Sequence, residues 1–180
     1  RQQIESILVQ LGDDDELIIC DDCSTDSTVE VIRRIHDPRI RLEVNARRLG
    51  HVRNFERSLS LGTKEYIFLS DQDDVWLPHK VERTIEVFRS DPSVTLVVSA
   101  AQEIDEAGNL RRSRLSSLGA ARKSKAACLR QLLVRGWFYG CTLAFKRETL
   151  GSILPFPAGT FAHDIYVGLA HTLRGHIYWL

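Results

Sequence analysis

The stretch that decides the fold is an apolar run that ends in three carboxylates: Glu65-Tyr66-Ile67-Phe68-Leu69-Ser70-Asp71-Gln72-Asp73-Asp74-Val75-Trp76. The run predicts a buried strand, so the acids follow its C-terminal end. In open α/β sheets the ligand crevice lies at this end of the strands. Because Asp71 and Asp73 alternate along an extended backbone, we expect both to face one side. Carboxylates there can bind Mg²⁺ or Mn²⁺ together with substrate phosphates; an acidic turn without a ligand is the alternative.

The length and composition of the sequence are typical of one folded domain with no net charge. The chain has 180 residues, 43% of them hydrophobic, and Lys plus Arg and Asp plus Glu both number 24. This balance gives no overall attraction to nucleic acid or to an anionic membrane. No apolar run in the sequence is long enough to span a bilayer. Of four cysteines, Cys20 and Cys23 have the C-x-x-C spacing of a redox pair or half a zinc site, but reduced thiols are the expectation.

Helix and strand patterns alternate around the acidic stretch. They predict four helices: one over 1–11, one that starts at a Ser27/Glu30 capping box, one over 52–59 and one after Pro78. They also predict strands over 17–20, 40–44 and 94–100. This order predicts an α/β fold with a mainly parallel, layered sheet. Further on, we expect a strand over 138–145, a helix after Asp164 and a strand from Ile177.

A basic segment separates these two parts of the chain. It predicts either a solvated mobile loop or a lid that grips phosphate, and its cations are Arg111, Arg112, Arg114, Arg122, Lys123 and Lys125.

Six segments occur in a fixed order along nearly the whole chain: Ser6–Gln10, Asp21–Asp26, Asn45–Asn54, Ser70–Pro78, Gly140–Arg147 and His163-Asp164. Together they resemble glycosyltransferase family 2, whose members have the nucleotide-sugar-binding GT-A fold and invert the anomeric centre. Within the family, residues 71–76 are most similar to the bacterial rhamnosyltransferase-type members that build surface polysaccharides. The resemblance implies one catalytic domain over 1–180, with a nucleotide-sugar part over 1–100 and an acceptor part over 101–180.

The resemblance also implies roles for residues on the donor side. Asp22 would accept a hydrogen bond from the ring N–H of a uracil or thymine, and Arg53 would support the base or diphosphate. Asp71 would lie near the ribose or donor sugar, and Asp73 would bind the metal. The alternatives are a turn-closing aspartate for Asp22 and a surface arginine for Arg53. Asp74 would be a partner of the metal ligands or a cap for the residues that follow.

On the acceptor side, Asp164 matches the base of the family and His163 would hydrogen-bond the acceptor or tune Asp164. A helix-capping aspartate is the alternative for Asp164. The implied activity is transfer of a sugar from a UDP- or dTDP-sugar, dTDP-rhamnose among them, to a hydroxyl of a glycan or lipid-linked acceptor. The implied cofactor is Mn²⁺ or Mg²⁺. The implied place is the cytoplasm or the inner face of the cell membrane, with peripheral membrane association and no nucleic acid.

The chain departs from the family pattern at one point, and two other readings are open. In the family a central apolar strand precedes the first helix, and the residues before Ile4 do not contain it, so we expect either more chain upstream of Arg1 or a poorly stable, inactive piece. The pattern Asp71-x-Asp73-x-Val75 also fits the nucleophile motif of haloacid-dehalogenase-like phosphatases. A non-catalytic module that binds nucleotide sugars is the third reading.

Overall fold

The computed structural model describes residues 1–105, 108–111, 119–135 and 138–180, with the side chains of 134 and 135 left aside. Its helices are α1 (Gln2–Leu8), α2 (Thr28–Arg33), α3 (His51–Leu61), α4 (Lys80–Ser90), α5 (Lys125–Arg135), α6 (Leu150–Ile153) and α7 (His163–Arg174). Its strands are β1 (Leu17–Asp21), β2 (Ile40–Val44), β3 (Tyr66–Phe68), β4 (Leu96–Val98), β5 (Ala121–Lys123), β6 (Leu143–Lys146) and β7 (Ile177–Trp179). Short 3₁₀ turns cover Gly140–Thr142 and Arg147–Thr149.

The strands form two separate sheets. One is the parallel pair β1–β2, and the other has five strands in the order β3-β6-β4-β7-β5. Of the pairs in the second sheet, only β4–β7 is parallel, because β6 lies antiparallel between β3 and β4 and β5 lies antiparallel to β7. The predicted α/β class is confirmed. The pairing is mixed rather than mainly parallel, since a strand from late in the chain lies between two earlier ones.

An open groove separates the two sheets. Within the described residues, β1 pairs only with β2, and β3 pairs only with β6, so each has an unpaired edge. Both edges line the groove, which has a volume of about 950 Å³ and is also bordered by apolar side chains of α1. A further strand between β1 and β3, as the family resemblance expects, would find both of these edges available for pairing.

Helices cover both faces of the five-stranded sheet and so fix the position of the site. On one face, α3 and α7 contribute to a large apolar core that includes Leu59, Phe145 and Val167. On the other face, Val87 and Phe88 of α4 pack against the strands. The opposite faces of β4 are therefore both buried, which explains the continuous apolar pattern of Leu96–Val98.

Several local expectations need correction. Ser27 is the N-cap of α2 but makes no side-chain capping hydrogen bond, so the predicted capping box is wrong. The predicted strand over 138–145 begins only at Leu143, after a 3₁₀ turn. The basic segment contains β5, while Arg112 and Arg114 lie outside the described residues.

Two further findings concern the described residues. Within the described ranges, no helix is both long and apolar enough to cross a bilayer. All four cysteines are free thiols, as the sequence predicts.

Candidate active site

The centre of the site is the junction between the end of β3 and the start of β6. These strands pair with Phe68 opposite Ala144, and the Leu69 N–H donates to the Leu143 carbonyl at 3.0 Å. Because the strands are antiparallel, the loop that leaves β3 lies beside the turn that enters β6. The acids after β3 therefore meet the 3₁₀ turn Gly140–Thr142.

Three side chains at this junction form a group with the spacing of metal ligands. A carboxylate oxygen of Asp71, one of Asp74 and the Cys141 sulfur all lie within 4.8 Å of one another. Asp73, the predicted metal ligand, is exposed and is not a member of this group. The expected alternation of Asp71 and Asp73 fails because β3 ends at Phe68 and residues 72–73 form a turn. Metal binding by Asp73 stays a prediction.

Negative charge accumulates around Asp71. Burial, followed by the nearby carboxylates of Asp74, Asp73 and Asp164, raises the pKa of Asp71 to about 6, against a hydrogen bond from the Cys141 backbone that lowers it. The raised pKa indicates that the surrounding protein does little to stabilise the negative charge of the Asp71 carboxylate. Burial, followed by the hydrogen bond and charge of Asp74, also holds the pKa of the Cys141 thiol well above its usual range.

A lysine to which the sequence analysis assigned no role contacts the loop after β3, residues 69–76, here called the acidic loop. The Lys80 ammonium donates to Ser99 Oγ at 2.8 Å and to the Cys141 carbonyl at 3.1 Å, and it lies 5.5 Å from the centre of the Trp76 ring. Burial lowers the pKa of Lys80 to about 8. The residue thus ties the end of β4 to the turn before β6. Its position as the first residue of α4, just after the acidic loop, was the available signal.

His163 and Asp164, which begin α7, approach the same junction. The His163 imidazole is 6% exposed, stacks on Phe55 with ring centroids 3.7 Å apart, and has no hydrogen-bond partner at either nitrogen among the described residues. Burial lowers the pKa of His163 to about 4, so the ring is neutral at physiological pH. Asp164 accepts a hydrogen bond from the Ile165 N–H at 2.7 Å, and the N-cap is Ala162, so Asp164 is not the cap.

Gly140 is the point at which these elements converge. A Cβ at this position would lie 3.2 Å from His163 Nε2, 3.5 Å from an Asp71 carboxylate oxygen and 3.7 Å from Asp164 Cβ. The absence of a side chain therefore keeps an opening between the acidic loop and α7. The structure brings together three of the six predicted site residues here, namely Asp71, His163 and Asp164.

Asp22 lies in a second cluster at the end of β1. One carboxylate oxygen accepts hydrogen bonds from the Leu49 N–H and from Asn45 Nδ2, both at 2.7 Å, and the other accepts the Gly50 N–H at 2.8 Å. Gly50 has φ 81°, a conformation that glycine adopts without strain. These bonds, the one from Leu49 first, lower the pKa of Asp22.

Buried Asn45 extends this cluster, and the sequence reasoning assigned it no role. Its Nδ2 also donates to Asn54 Oδ1 at 2.8 Å, its Oδ1 accepts from Arg57, and Asn54 in turn donates to the Cys20 carbonyl at 2.7 Å. The signal was present in the sequence, because Asn45 ends a strand pattern that otherwise alternates and Asn54 lies on the next helix.

Arg53, the predicted partner of the base or diphosphate, has other contacts. Its guanidinium pairs with Glu56 and donates to the Phe156 carbonyl at 3.0 Å. The described structure therefore ties Arg53 to the segment before α7. Within the described residues, Arg53 bonds Glu56 of its own helix and the Phe156 carbonyl, and neither contact joins it to Asp22 or Asp71.

The junction fits a divalent cation by its own chemistry. Two carboxylates and a thiol can supply ligands within one small volume, and Asp73 and Asp164 add further negative charge. The imidazole of His163, buried and without a partner beside Asp71, independently indicates a missing polar ligand, because buried polar groups are nearly always hydrogen-bonded.

Comparison with known proteins identifies the class of this site. The model of glycosyl transferase family 2 matches residues 1–156, so the chain belongs to this family. It is similar to an uncharacterized glycosyltransferase of Nostoc sp., with 29% identity over 157 residues that make up 84% of this chain and 48% of that protein. A second relative, the UDP-Glc:alpha-D-GlcNAc-diphosphoundecaprenol beta-1,3-glucosyltransferase of Escherichia coli, is 34% identical over 49% of this chain and 35% of its own length.

The fold matches solved glycosyltransferases as well. A mannosyltransferase from Pyrobaculum calidifontis, solved with GDP-Man and Mn²⁺, superposes with a TM-score of 0.67 at 21% identity. The superposition covers 99% of this chain and 51% of the mannosyltransferase chain. The fold is thus the GT-A fold, in agreement with the family to which the chain belongs. The chain spans about half the length of the Nostoc relative and of this solved structure. Family membership and the position of the acidic strand after a complete β1-α2-β2-α3 unit argue against the phosphatase reading.

Proposed function

We propose that this protein transfers a sugar, with inversion, from a nucleoside-diphosphate donor to a hydroxyl of a glycan or a lipid-linked acceptor. The observation that carries the proposal is the convergence of Asp71 and Asp164 on Gly140, within 3.5 Å and 3.7 Å of its Cβ position. Asp71 comes from the acidic loop and Asp164 from α7. A donor-side acid and a candidate base therefore lie on two sides of one opening.

The proposed donor is a UDP- or dTDP-sugar, with dTDP-rhamnose among the candidates. The Escherichia coli relative is named for a UDP-Glc donor and a diphosphoundecaprenol-linked acceptor, which supports a pyrimidine donor and a lipid-linked acceptor. The resemblance of residues 71–76 to rhamnosyltransferase-type members supports the rhamnose candidate. The reaction would serve the synthesis of surface polysaccharide at the inner face of the cell membrane.

Asp22 is proposed to recognise the nucleotide base. Its carboxylate has about four acceptor positions and receives three hydrogen bonds within the protein, so one position is left for a ring N–H. Those three bonds also fix the orientation of the carboxylate before the donor arrives. Arg53 is proposed to support the donor less directly, through Phe156 and the segment that leads to α7.

The proposed metal ligands are Asp71 and Asp74, with Asp73 as the ligand that the sequence predicts. A bound Mn²⁺ or Mg²⁺ would stabilise the negative charge that develops on the leaving diphosphate. The Pyrobaculum calidifontis structure was solved in complex with GDP-Man and Mn²⁺, which supports a divalent cofactor. The pair Asp73→Ala and Asp74→Ala separates the two candidates: loss of Mn²⁺ affinity in only one of them identifies the ligand.

Asp164 is proposed to take the proton from the acceptor hydroxyl as that hydroxyl attacks the anomeric carbon. Such transfer needs a base within hydrogen-bond reach of the acceptor, on the side opposite the leaving group. Asp164 is the second residue of α7 and follows the buried His163, so the helix holds its backbone in a fixed position. His163 is proposed to contribute to substrate binding with a neutral ring.

The test compares donor binding with turnover. We expect Asp164→Asn to bind UDP- or dTDP-sugars in the presence of Mn²⁺ as the unmodified chain does, while transfer slows by about 10²-fold or more. The matched control is Glu82→Gln, an exposed acid in the first turn of α4. Unchanged turnover in Asp164→Asn would remove this residue from the mechanism. Donor binding with no transfer in the unmodified chain would favour the non-catalytic module.

A further inference from the structure

Cys141 lies beside the two acids that are proposed as metal ligands. Its sulfur and one oxygen each from Asp71 and Asp74 are mutually within 4.8 Å, and all three side chains are partly buried. The pairing of β3 with β6 explains this, because the residue just before β6 must lie beside the loop just after β3. The family resemblance implies no metal-binding role for Cys141, which it includes only as part of the matching segment Gly140–Arg147.

The turn that carries Cys141 is held in place from the opposite side. Its carbonyl accepts a hydrogen bond from Lys80 at 3.1 Å, and Lys80 also donates to Ser99 at the end of β4. The neighbouring Thr142 N–H and Oγ both donate to the Tyr139 carbonyl, at 2.9 Å and 2.7 Å. The sulfur is therefore presented by a fixed backbone rather than by a free loop end.

A separate observation indicates that a ligand belongs beside these residues. His163, 6% exposed and with neither nitrogen hydrogen-bonded among the described residues, directs Nε2 toward Gly140, whose Cβ position is also 3.5 Å from Asp71. The other buried histidine of α7 behaves differently, since both nitrogens of His171 have threonine partners, Thr95 and Thr149. Among the described residues, the other buried side-chain nitrogen without a partner is Nε1 of Trp76, at the end of the loop that carries Asp71 and Asp74.

We propose that Cys141 is a metal ligand and that its sulfur directs the site away from Mg²⁺ and toward more thiophilic divalent ions, from Mn²⁺ to Zn²⁺ and Cd²⁺. Mg²⁺ requires oxygen ligands in near-octahedral geometry, whereas thiolate is a soft ligand that such ions accept. Binding replaces the S–H bond with a metal–sulfur bond, and the proton leaves to solvent. The proposal rests on the divalent-ion site of the proposed function and adds the reason for its choice of ion.

Cadmium alone is the probe, because a cadmium–thiolate bond adds an ultraviolet charge-transfer absorption that carboxylates do not give. We expect this absorption when Cd²⁺ is added to the unmodified 180-residue chain and to Cys23→Ser, and its loss in Cys141→Ser. Cys23 is the matched control, since it is also partly buried but lies in the C-x-x-C pair at the end of β1. Loss of the absorption in Cys23→Ser alone would place the cadmium at that pair and overturn the proposal.

Calorimetric titration provides the second readout. In Cys141→Ser we expect the affinity for Cd²⁺ to fall about tenfold or more, while the affinity for Mg²⁺ stays within about twofold, which also shows that the site is folded. Equal affinities for Cd²⁺ in the variant and the unmodified chain would refute ligation by Cys141. That result would leave glycosyl transfer standing, because transfer is tested separately by Asp164→Asn.

Discussion

The Phe55 ring and the His163 imidazole stack with centroids 3.7 Å apart and planes inclined by 14°. The contact joins α3, which follows the Asp22 cluster, to the start of α7, which carries Asp164. It packs one face of an imidazole whose two nitrogens are buried without partners in the described structure. The stacking therefore stabilises a polar group that the rest of the fold leaves unsatisfied.

The stability of His163→Leu tests this arrangement. Burying an unsatisfied polar group costs about 1–3 kcal/mol, so an apolar side chain of similar size removes a penalty and keeps the contact with Phe55. We expect a free energy of unfolding at least equal to that of the unmodified chain, measured by urea denaturation without metal or nucleotide. Transfer activity should nevertheless fall, because the imidazole then no longer meets the substrate.

His171→Leu is the matched control on the same helix. His171 is 3% exposed, and its nitrogens lie 3.1 Å from Thr95 Oγ1 and 3.4 Å from Thr149 Oγ1. Loss of these hydrogen bonds should lower the free energy of unfolding by about 1–2 kcal/mol. If His163→Leu were destabilised as much as His171→Leu, His163 would have partners in the folded protein and the vacancy would not exist.

His171 also predicts how stability depends on pH. Burial lowers its pKa from 6.5 to about 4, so between these values the unfolded chain binds a proton that the folded chain does not. Stability from this group is therefore complete above the unfolded pKa and is lost as the pH falls toward 4. The unmodified chain should lose about 2 kcal/mol relative to His171→Gln between about pH 7 and about pH 5, measured by urea denaturation at each pH. A constant difference between the two proteins would contradict the lowered pKa.

The sequence was informative where local patterns set the structure. The apolar run before Asp71, the alternation of Ile40–Val44 and the helical stripes of α1 and α4 all lie where they were expected. The insertion of β6 between β3 and β4 was not predictable from these patterns, because strand order depends on contacts between segments distant in sequence.

The candidate site was predictable in outline and not in its ligands. The resemblance pointed to Asp71, His163 and Asp164, which converge on Gly140. The choice between Asp73 and Asp74 depends on the turn at residues 72–73, since an extended backbone would have grouped Asp71 with Asp73 instead. Cys141 enters the site through the pairing of β3 with β6, and no periodicity in the sequence reports such pairing. Lys80 lies close to the acids in sequence, but its hydrogen bond to the Cys141 carbonyl depends on the same pairing.

Gly140→Ala tests whether the opening between the acidic loop and α7 is needed. The added methyl would lie 3.2 Å from His163 Nε2 and 3.5 Å from the Asp71 carboxylate, which is close enough to require a small shift but not to prevent folding. We expect the free energy of unfolding to fall by about 1–2 kcal/mol and the free energy of Mn²⁺-dependent donor binding to fall by a larger fraction of its value. Thermal shift and calorimetry measure the two changes.

The matched control for this change is Gly151→Ala in α6. A Cβ at Gly151 meets no atom within 4 Å, and alanine in a helix is more stable than glycine by about 0.5–1 kcal/mol. Gly151→Ala should therefore keep donor binding and be slightly stabilised. Equal donor binding in Gly140→Ala and Gly151→Ala would show that the substrate does not use the opening at Gly140.

Asn45 supports the proposed base-binding carboxylate, and its removal gives the last prediction. The residue is 4% exposed and bonds Asp22, Asn54 and Arg57 at once, so Asn45→Ala removes one hydrogen bond from each of these three side chains. We expect a loss of about 2–4 kcal/mol in the free energy of unfolding and a rise in the pKa of Asp22, measured by denaturation and by NMR titration. Exposed Asn109→Ala, the control, should change stability by less than about 0.5 kcal/mol. An unshifted Asp22 pKa in Asn45→Ala would mean that the backbone N–H groups of Leu49 and Gly50 alone set this carboxylate.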